Sequence, residues 1–190
     1  MNQQTNVSGH DVVELLTLEH REMEDLVGQI QRTPDAEQRR ELTDTLIAEV
    51  MRHAVAEEMY VYPVMEKRIP KGTEEVEHDK EEHEEIIQLM KQLEDADAAE
   101  PAFMDRLHEL EELLRHHHKD EEVDQFSLLH EHLDASELVD LGKKVEYGKK
   151  LAPTRPHPGA PHSELFHKTI GPGVGMIDRL RDKLSGRMTG

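Results

Sequence analysis

Two segments of this 190-residue chain carry the same reactive spacing, His53-x-x-x-Glu57-Glu58 and His117-x-x-x-Glu121-Glu122. Each follows a further histidine at nearly the same distance, 33 residues from His20 to His53 and 34 from His83 to His117. Imidazole nitrogen and carboxylate oxygen together suit divalent first-row metals. One such pair would mean little, because 14 histidines and 42 acidic residues produce solvated His-x-x-x-Glu pairs by chance. The joint pattern, an internal repeat with a pseudo-twofold axis through one site, carries more.

Helical periodicity turns six of these residues inward: His20, His53, Glu57, His83, His117 and Glu121. One face of the second helix reads Leu42, Leu46, Val50, His53, Glu57, Tyr60 and Val64, and one face of the fourth reads Phe103, Leu107, Leu110, Leu114, His117, Glu121, Asp124 and Leu128. Steps of four and three of this kind mark a bundle-facing stripe. The first helix contributes Leu16, His20, Met23, Val27 and Ile30, and the third contributes His83, Ile86, Ile87, Met90 and Leu93. A carboxylate buried without a partner costs several kcal/mol, on the order of 3 or more, so two inward glutamates call for cations. Paired glutamates in a bundle core can each bridge two ions, with two histidines on each ion. Such a set leaves coordination positions open to small exogenous ligands.

The remaining polar residues have plainer expectations. His116 and His118 lie about 100° either side of His117, and His78 lies off the stripe, so all three read as solvated or as outer partners of the ligands. His10, His108, His130, His132, His157, His162 and His167 read as solvated. Glu58 and Glu122 are placed to accept a hydrogen bond from a ligand imidazole of a neighbouring helix. Tyr60, in phase with His53 and Glu57, directs its phenol toward the metal pocket, and Asp124 is its counterpart in the second half.

The elements that position these groups are helices. Three Phe, three Tyr and no Trp leave a core of Leu, Val, Ile, Met and Ala, which favours packed helices. Start signals at Ser8 with Asp11, Thr33 before Pro34, Thr73, Pro101, and Asp134 with Glu137 predict helices at 9–31, 34–68, 73–97, 101–132 and 134–150. Short connections make neighbours antiparallel. The expected fold is all-α: an up-down antiparallel four-helix bundle with an additional C-terminal helix and an extended tail.

Residues 1–150 form the expected bundle unit, and Ala152 to Pro161, with four prolines, opens a linker into a tail over 151–190. The tail has six basic and three acidic residues, or +3, against 17 basic and 39 acidic, or −22, in residues 1–150. Val174, Ile177, Leu180 and Leu184 beside Arg179, Arg181, Lys183 and Arg187 predict a short basic amphipathic helix, which would dock on its own acidic bundle or on a sister subunit of a homo-oligomer. A net charge of −19 repels nucleic acid and anionic lipid. No apolar run suffices to cross a bilayer, no cysteine is present, and a cytoplasmic location is expected.

The segments Leu18-Glu19-His20-Arg21-Glu22, His53 to Pro63, Glu82-His83-Glu84-Glu85-Ile86 and His116 to Glu122 resemble the hemerythrin-like, or HHE cation-binding, family over residues 10–150. The resemblance implies terminal ligands His20, His53, His83 and His117 and bridging carboxylates Glu57 and Glu121. The implied cofactor is two non-haem iron ions with an oxo or hydroxo bridge, and the implied partner is dioxygen, peroxide or nitric oxide. Oxygen-carrying members have a further histidine one turn before that of the third helix. Here that position is Asp79, which argues against simple reversible oxygen carriage. The aromatic-Pro pair Tyr62-Pro63 becomes Phe126-Ser127 in the second repeat. Three roles fit this set: peroxide decomposition or nitric oxide turnover, a non-enzymatic sensor or reservoir of oxygen, nitric oxide or iron, or a bundle around a structural metal.

Overall fold

The computed structural model describes residues 10–158 and, further on, Val174, Asp178, Asp182 and Lys183. Among the described residues every regular element is helical: α1 (Val12–Arg32), α2 (Ala36–Ala56), α3 (Tyr62–Arg68), α4 (Gly72–Asp95), α5 (Pro101–Asp120), α6 (Phe126–His132) and α7 (Ala135–Leu151). Glu57–Val61 joins α2 to α3 and Glu121–Gln125 joins α5 to α6, each as one π-helical turn, so each pair is one long helix with a local widening. The architecture is therefore an antiparallel four-helix bundle plus a fifth helix. In the ring of four, α1 neighbours α2 and α5, while α4 neighbours the same two helices from the other side.

Local chemistry sets the boundaries. The Asp11 carboxylate accepts from the Glu14 amide at 2.9 Å, and Asp35 accepts from Gln38 at 2.8 Å, each satisfying an otherwise orphaned N–H. These aspartates, and not Ser8 or Thr33, cap α1 and α2, so both helices start two to three residues later than expected. Pro101 occupies the first turn of α5, where its missing N–H costs nothing. Asp134 and Glu137 make a reciprocal capping box on α7. Between α3 and α4 the chain turns through Lys71 at φ 61°, and a Cβ on Gly72 would stand 2.0 Å from the Met65 carbonyl oxygen, so only glycine fits that approach.

The core is split in two. One apolar cluster contains Met23, Ile30, Leu46, Met90, Phe103 and Leu110, and the other contains Leu16, Ala56, Tyr62, Met65, Phe126 and Leu129. A layer of histidines and carboxylates lies between them, because each long helix places its polar pair midway along an apolar stripe. Helix α7 covers α1, α2 and the first π turn. Gly142 and Gly148 allow this: a Cβ at Gly142 would come within 2.9 Å of the His10 carbonyl oxygen, and one at Gly148 within 2.9 Å of Tyr60 Cε2.

Beyond α7, Arg155 joins two regions, donating to Glu94 of α4 at 3.0 Å and to Asp182 at 2.7 Å. Thr154 donates to Asp182 at 2.5 Å, and His157 Nε2 lies 2.8 Å from Asp178. Asp178 and Asp182 are buried and Lys183 is exposed. Val174 is half-buried, and the remaining residues expected to form the amphipathic tail helix lie outside the described residues.

Candidate metal centre

The polar layer brings together all six residues singled out by their spacing. His20, His53, Glu57, His83, His117 and Glu121 come from four helices, and each is at most 3% exposed. The imidazoles face each other in pairs, His20 Nε2 to His53 Nε2 at 3.1 Å and His83 Nε2 to His117 Nε2 at 3.0 Å. Both glutamates span the two pairs. Glu57 Oε1 is 3.3 Å from His53 Nε2, and its Oε2 is 3.6 Å from His83 Nε2. Glu121 Oε2 is 3.2 Å from His20 Nε2, and its Oε1 is 3.7 Å from His117 Nε2.

Carboxylates hold the other edge of every ring. His20 Nδ1 faces Glu122 at 2.9 Å, His53 Nδ1 faces Glu19 at 2.8 Å, His83 Nδ1 faces Glu58 at 2.9 Å and His117 Nδ1 faces Glu82 at 2.8 Å. A neutral imidazole donates its one N–H to such a carboxylate, leaving a bare lone pair on Nε2. Each facing pair then sets two lone pairs about 3 Å apart, which is repulsive unless a cation lies between them. Two donors about 2.1 Å from one first-row ion at ordinary angles lie about 3.0–3.4 Å from each other. The N···N separations and the two shortest N···O separations fall in that range. Both oxygens of Glu57 and Oε2 of Glu121 are buried with no hydrogen-bond partner. The donor set fits two metal ions, one among His20, His53, Glu57 and Glu121 and one among Glu57, His83 and His117.

Without metal the two carboxylates are pushed in opposite directions. Burial, then the facing Glu121, push Glu57 well above the usual carboxylate range. Burial acts in the same direction on Glu121, but His117, His20 and His53 outweigh it and hold that carboxyl well below. Burial lowers His53 to about 4, against the opposing pull of Glu19. Burial also disfavours charge on His83 and His117, yet Glu58 and Glu121 respectively lead the carboxylates that raise them. A cation entering the layer would compensate the buried carboxylates, and its affinity would depend on pH because its ligands must be deprotonated.

The π turns move several expected side chains. In each, the amide that would close an α turn is displaced by one residue, so Tyr62 N–H donates to the Glu57 carbonyl and Phe126 N–H to that of Glu121. An extra residue rotates everything beyond it by about 100°. The inward stripe therefore shifts by one, from Tyr60 and Val64 to Val61 and Met65, and from Asp124 and Leu128 to Gln125 and Leu129. Tyr60 is half-buried against Gly148 of α7 and does not point at the metal layer, and Asp124 is exposed. Tyr62 takes the place expected for Tyr60. Its hydroxyl is 3.2 Å from His83 Nε2 and its ring stacks on His83 at 5.6 Å between centroids, as Phe126 stacks on His20 at 5.8 Å.

Glu58 and Glu122 hold imidazoles of neighbouring helices as their positions suggested, and Arg21 reinforces Glu122 at 2.5 Å. The matching roles of Glu19 and Glu82 were missed, although the repeated Glu-His dipeptide preceding each His-x-x-x-Glu was a usable signal. Among the three histidines expected to be solvated or outer partners, His78 and His116 are exposed. His118 departs from solvation: it is 2% exposed and stacks parallel on His20 at 3.9 Å, with burial driving it strongly toward the neutral form. Its counterpart in the first half is Ala54, so the repeat gave no warning of it. Asp79 is buried, accepts from Gln125 at 2.8 Å, and leaves Oδ2 without a partner. Burial and then Glu121 raise its carboxyl to about 6.

Residues 11–140 match the model of the hemerythrin HHE cation-binding domain. The chain belongs to this family. It is 30% identical over 167 residues, 87% of this chain and 82% of the relative, to an uncharacterized hemerythrin-like protein of Schizosaccharomyces pombe. A crystal structure of a hemerythrin HHE cation-binding domain-containing protein from Mycobacterium kansasii superposes with a TM-score of 0.66 at 24% identity, over 74% of this chain and 86% of that one, and shows the shared fold. Membership and the buried His/Glu clusters make this a metal-binding protein. Among the described residues no helix is long and apolar enough to cross a membrane.

Proposed function

We propose that this hemerythrin-family chain holds two iron ions, one between His20 and His53 and one between His83 and His117, with Glu57 and Glu121 bridging them, and that the centre handles dioxygen, peroxide or nitric oxide. The carrying observation is that each glutamate offers one oxygen to each facing histidine pair. Bound iron would supply electron exchange and vacant coordination positions.

The chain's own residues narrow the ligand. Every member of the layer is buried, so only molecules of a few atoms reach it without rearranging the bundle. The two halves are unequal: Glu121 and Glu57 stand 3.2 and 3.3 Å from the imidazoles of the first position but 3.7 and 3.6 Å from those of the second. Beside the second stand the Tyr62 hydroxyl and the unpartnered Oδ2 of Asp79, two groups able to orient a small ligand or hand it a proton. In the first half Phe126 and Leu16 occupy the equivalent places, so proton handling belongs to the His83/His117 side.

The test is metal content per chain of protein from iron-supplied cells, with visible absorption recorded before and after peroxide or nitric oxide. Two irons per chain and a spectrum that changes with one of these ligands support the reading. A colourless protein holding zinc overturns it. Peroxide loss continuing over many equivalents per centre assigns turnover, whereas loss that stops at stoichiometry assigns binding.

A further inference from the structure

The two halves treat the carboxylates behind His53 and His117 differently. Glu19 Oε2 holds His53 Nδ1, and its outer oxygen, Oε1, meets the Lys149 ammonium of α7 at 2.6 Å. Glu82 Oε2 holds His117 Nδ1 in the same way. No lysine or arginine is paired with the outer oxygen of Glu82 among the described residues. His116 Nδ1 stands 3.1 Å from Glu82 Oε1, and His78 Nε2 stands 3.6 Å from it.

These groups form a second use of the spacing that builds the buried centre. His78 and Glu82 are four residues apart on α4, His116 and Asp120 are four apart on α5, and His116 Nδ1 lies 3.4 Å from Asp120 Oδ2. Ligand atoms of His78, Glu82 and Asp120 all lie within 4.8 Å of one another. His116 Nδ1 stands 3.1 Å from Glu82 and 3.4 Å from Asp120, the spacing of donors around one first-row ion, about 3.0–3.4 Å, and the exposed His78 side chain has room to close its longer separation of 3.6 Å. Two imidazoles and two carboxylates are the donor chemistry of a divalent first-row cation. Unlike the buried layer, this cluster opens to solvent, with His78 and His116 more than half exposed.

We propose that His78, Glu82, His116 and Asp120 form a third, solvent-facing site for a divalent first-row metal ion, which takes at Glu82 the place that Lys149 takes at Glu19. The site sits on the α4/α5 seam, outside the buried centre and one carboxylate away from His117. An ion there draws on Glu82 and so acts on the imidazole that Glu82 orients. The site rests on the buried-centre reading only for that last effect, since its own donors are separate except for Glu82, which contributes its other oxygen.

The experiment is calorimetric titration with cobalt(II), in the full-length protein, after the buried centre has been filled and its metal content measured. One further equivalent is expected, weakened by about tenfold or more in His78→Ala and again in Asp120→Asn, because losing a direct ligand costs at least what losing an outer partner does. The content of the buried centre should be unchanged in His78→Ala, whose side chain is exposed and makes no contact with it. Absence of the further equivalent in the wild type, or its persistence at full affinity in both variants, overturns the proposal. Failure of the buried centre to fill would instead show as missing tight equivalents in every variant, and the cobalt difference between wild type and His78→Ala would still read the surface site.

Discussion

Tyr62 stands directly above Glu57 because one π turn separates them, and this alone brings its hydroxyl to 3.2 Å from His83 Nε2. In the metal-free protein the phenol and that nitrogen share a hydrogen bond, and the tyrosine ring covers the imidazole face. Phe126 does only the second on His20. Tyr62→Phe should therefore keep the packing and lower the stability of the metal-free protein by about 1 kcal/mol, the net worth of one hydrogen bond. Tyr62→Ala should cost about 3–5 kcal/mol through the cavity it opens. Urea denaturation of both variants checks this, and equal losses would deny the stacking role.

The six inward residues were legible because ligands must recur on the buried face, and the repeat doubled a weak signal. The helices were legible from the Asp134–Glu137 capping box, Pro101 and apolar periodicity, whereas the caps of α1 and α2 fell on Asp11 and Asp35 instead of Ser8 and Thr33. What the periodicity could not carry was the π turn: a five-residue local widening leaves no mark in composition, yet it exchanged Tyr60 for Tyr62 and Asp124 for Gln125. The alignment of Tyr62 with Phe126 between repeats, each nine residues beyond its histidine, was the available hint. His118 was illegible for another reason, since helical phase alone places it beside the stripe and only the close approach of α1 buries it.

His118 makes the metal-free protein acid-sensitive. Its ring is buried and neutral, with a pKa held well below the ordinary 6.5, first by burial and then by the charge of His20. The unfolded chain binds this proton first as pH falls, so the residue subtracts stability below pH 6.5 and contributes nothing to the pH slope above it. The stability of His118→Leu relative to wild type should rise by about 2 kcal/mol between pH 7 and pH 5. Thermal or urea unfolding of the two proteins side by side measures this, and a difference independent of pH would show that His118 is charged in the fold.

Lys149 should matter to the centre although it touches no candidate ligand. Its ammonium fixes Glu19, and Glu19 fixes His53. Lys149→Met should weaken metal held at the His20/His53 position about 10–100-fold, the usual cost of losing an outer partner, and Lys149→Arg should restore much of it. Competition with a chelator reads both. Equal affinity in all three proteins would mean that α7 only covers the bundle.

Close packing of α7 and of the α3/α4 turn sets two different tolerances. At Gly148 an added methyl meets the Tyr60 ring at 2.9 Å, and a side chain can yield, so Gly148→Ala should cost about 1–3 kcal/mol. At Gly72 the obstacle is the Met65 carbonyl at 2.0 Å, which is backbone and closes α3. Gly72→Ala should cost more than Gly148→Ala. Thermal denaturation ranks them, and the reverse order would mean that α3 and its turn shift freely.

The bridging geometry predicts an inequality between two deletions. Glu57 offers Oε1 beside His53 and Oε2 beside His83, so Glu57→Ala removes a donor from both positions. His20 belongs to one position, facing His53 and Glu121. His20→Ala should therefore leave about one tightly held ion per chain, whereas Glu57→Ala should deplete both. Glu57→Gln refines the comparison: it keeps the shape, and burial already drives Glu57 toward the neutral acid in the metal-free fold, so it should fold about as well as wild type without metal while still losing ions. Elemental analysis after dialysis against a mild chelator reads all three. Full iron content in Glu57→Ala would remove the bridge, and with it the reason for two carboxylates at the centre of the bundle.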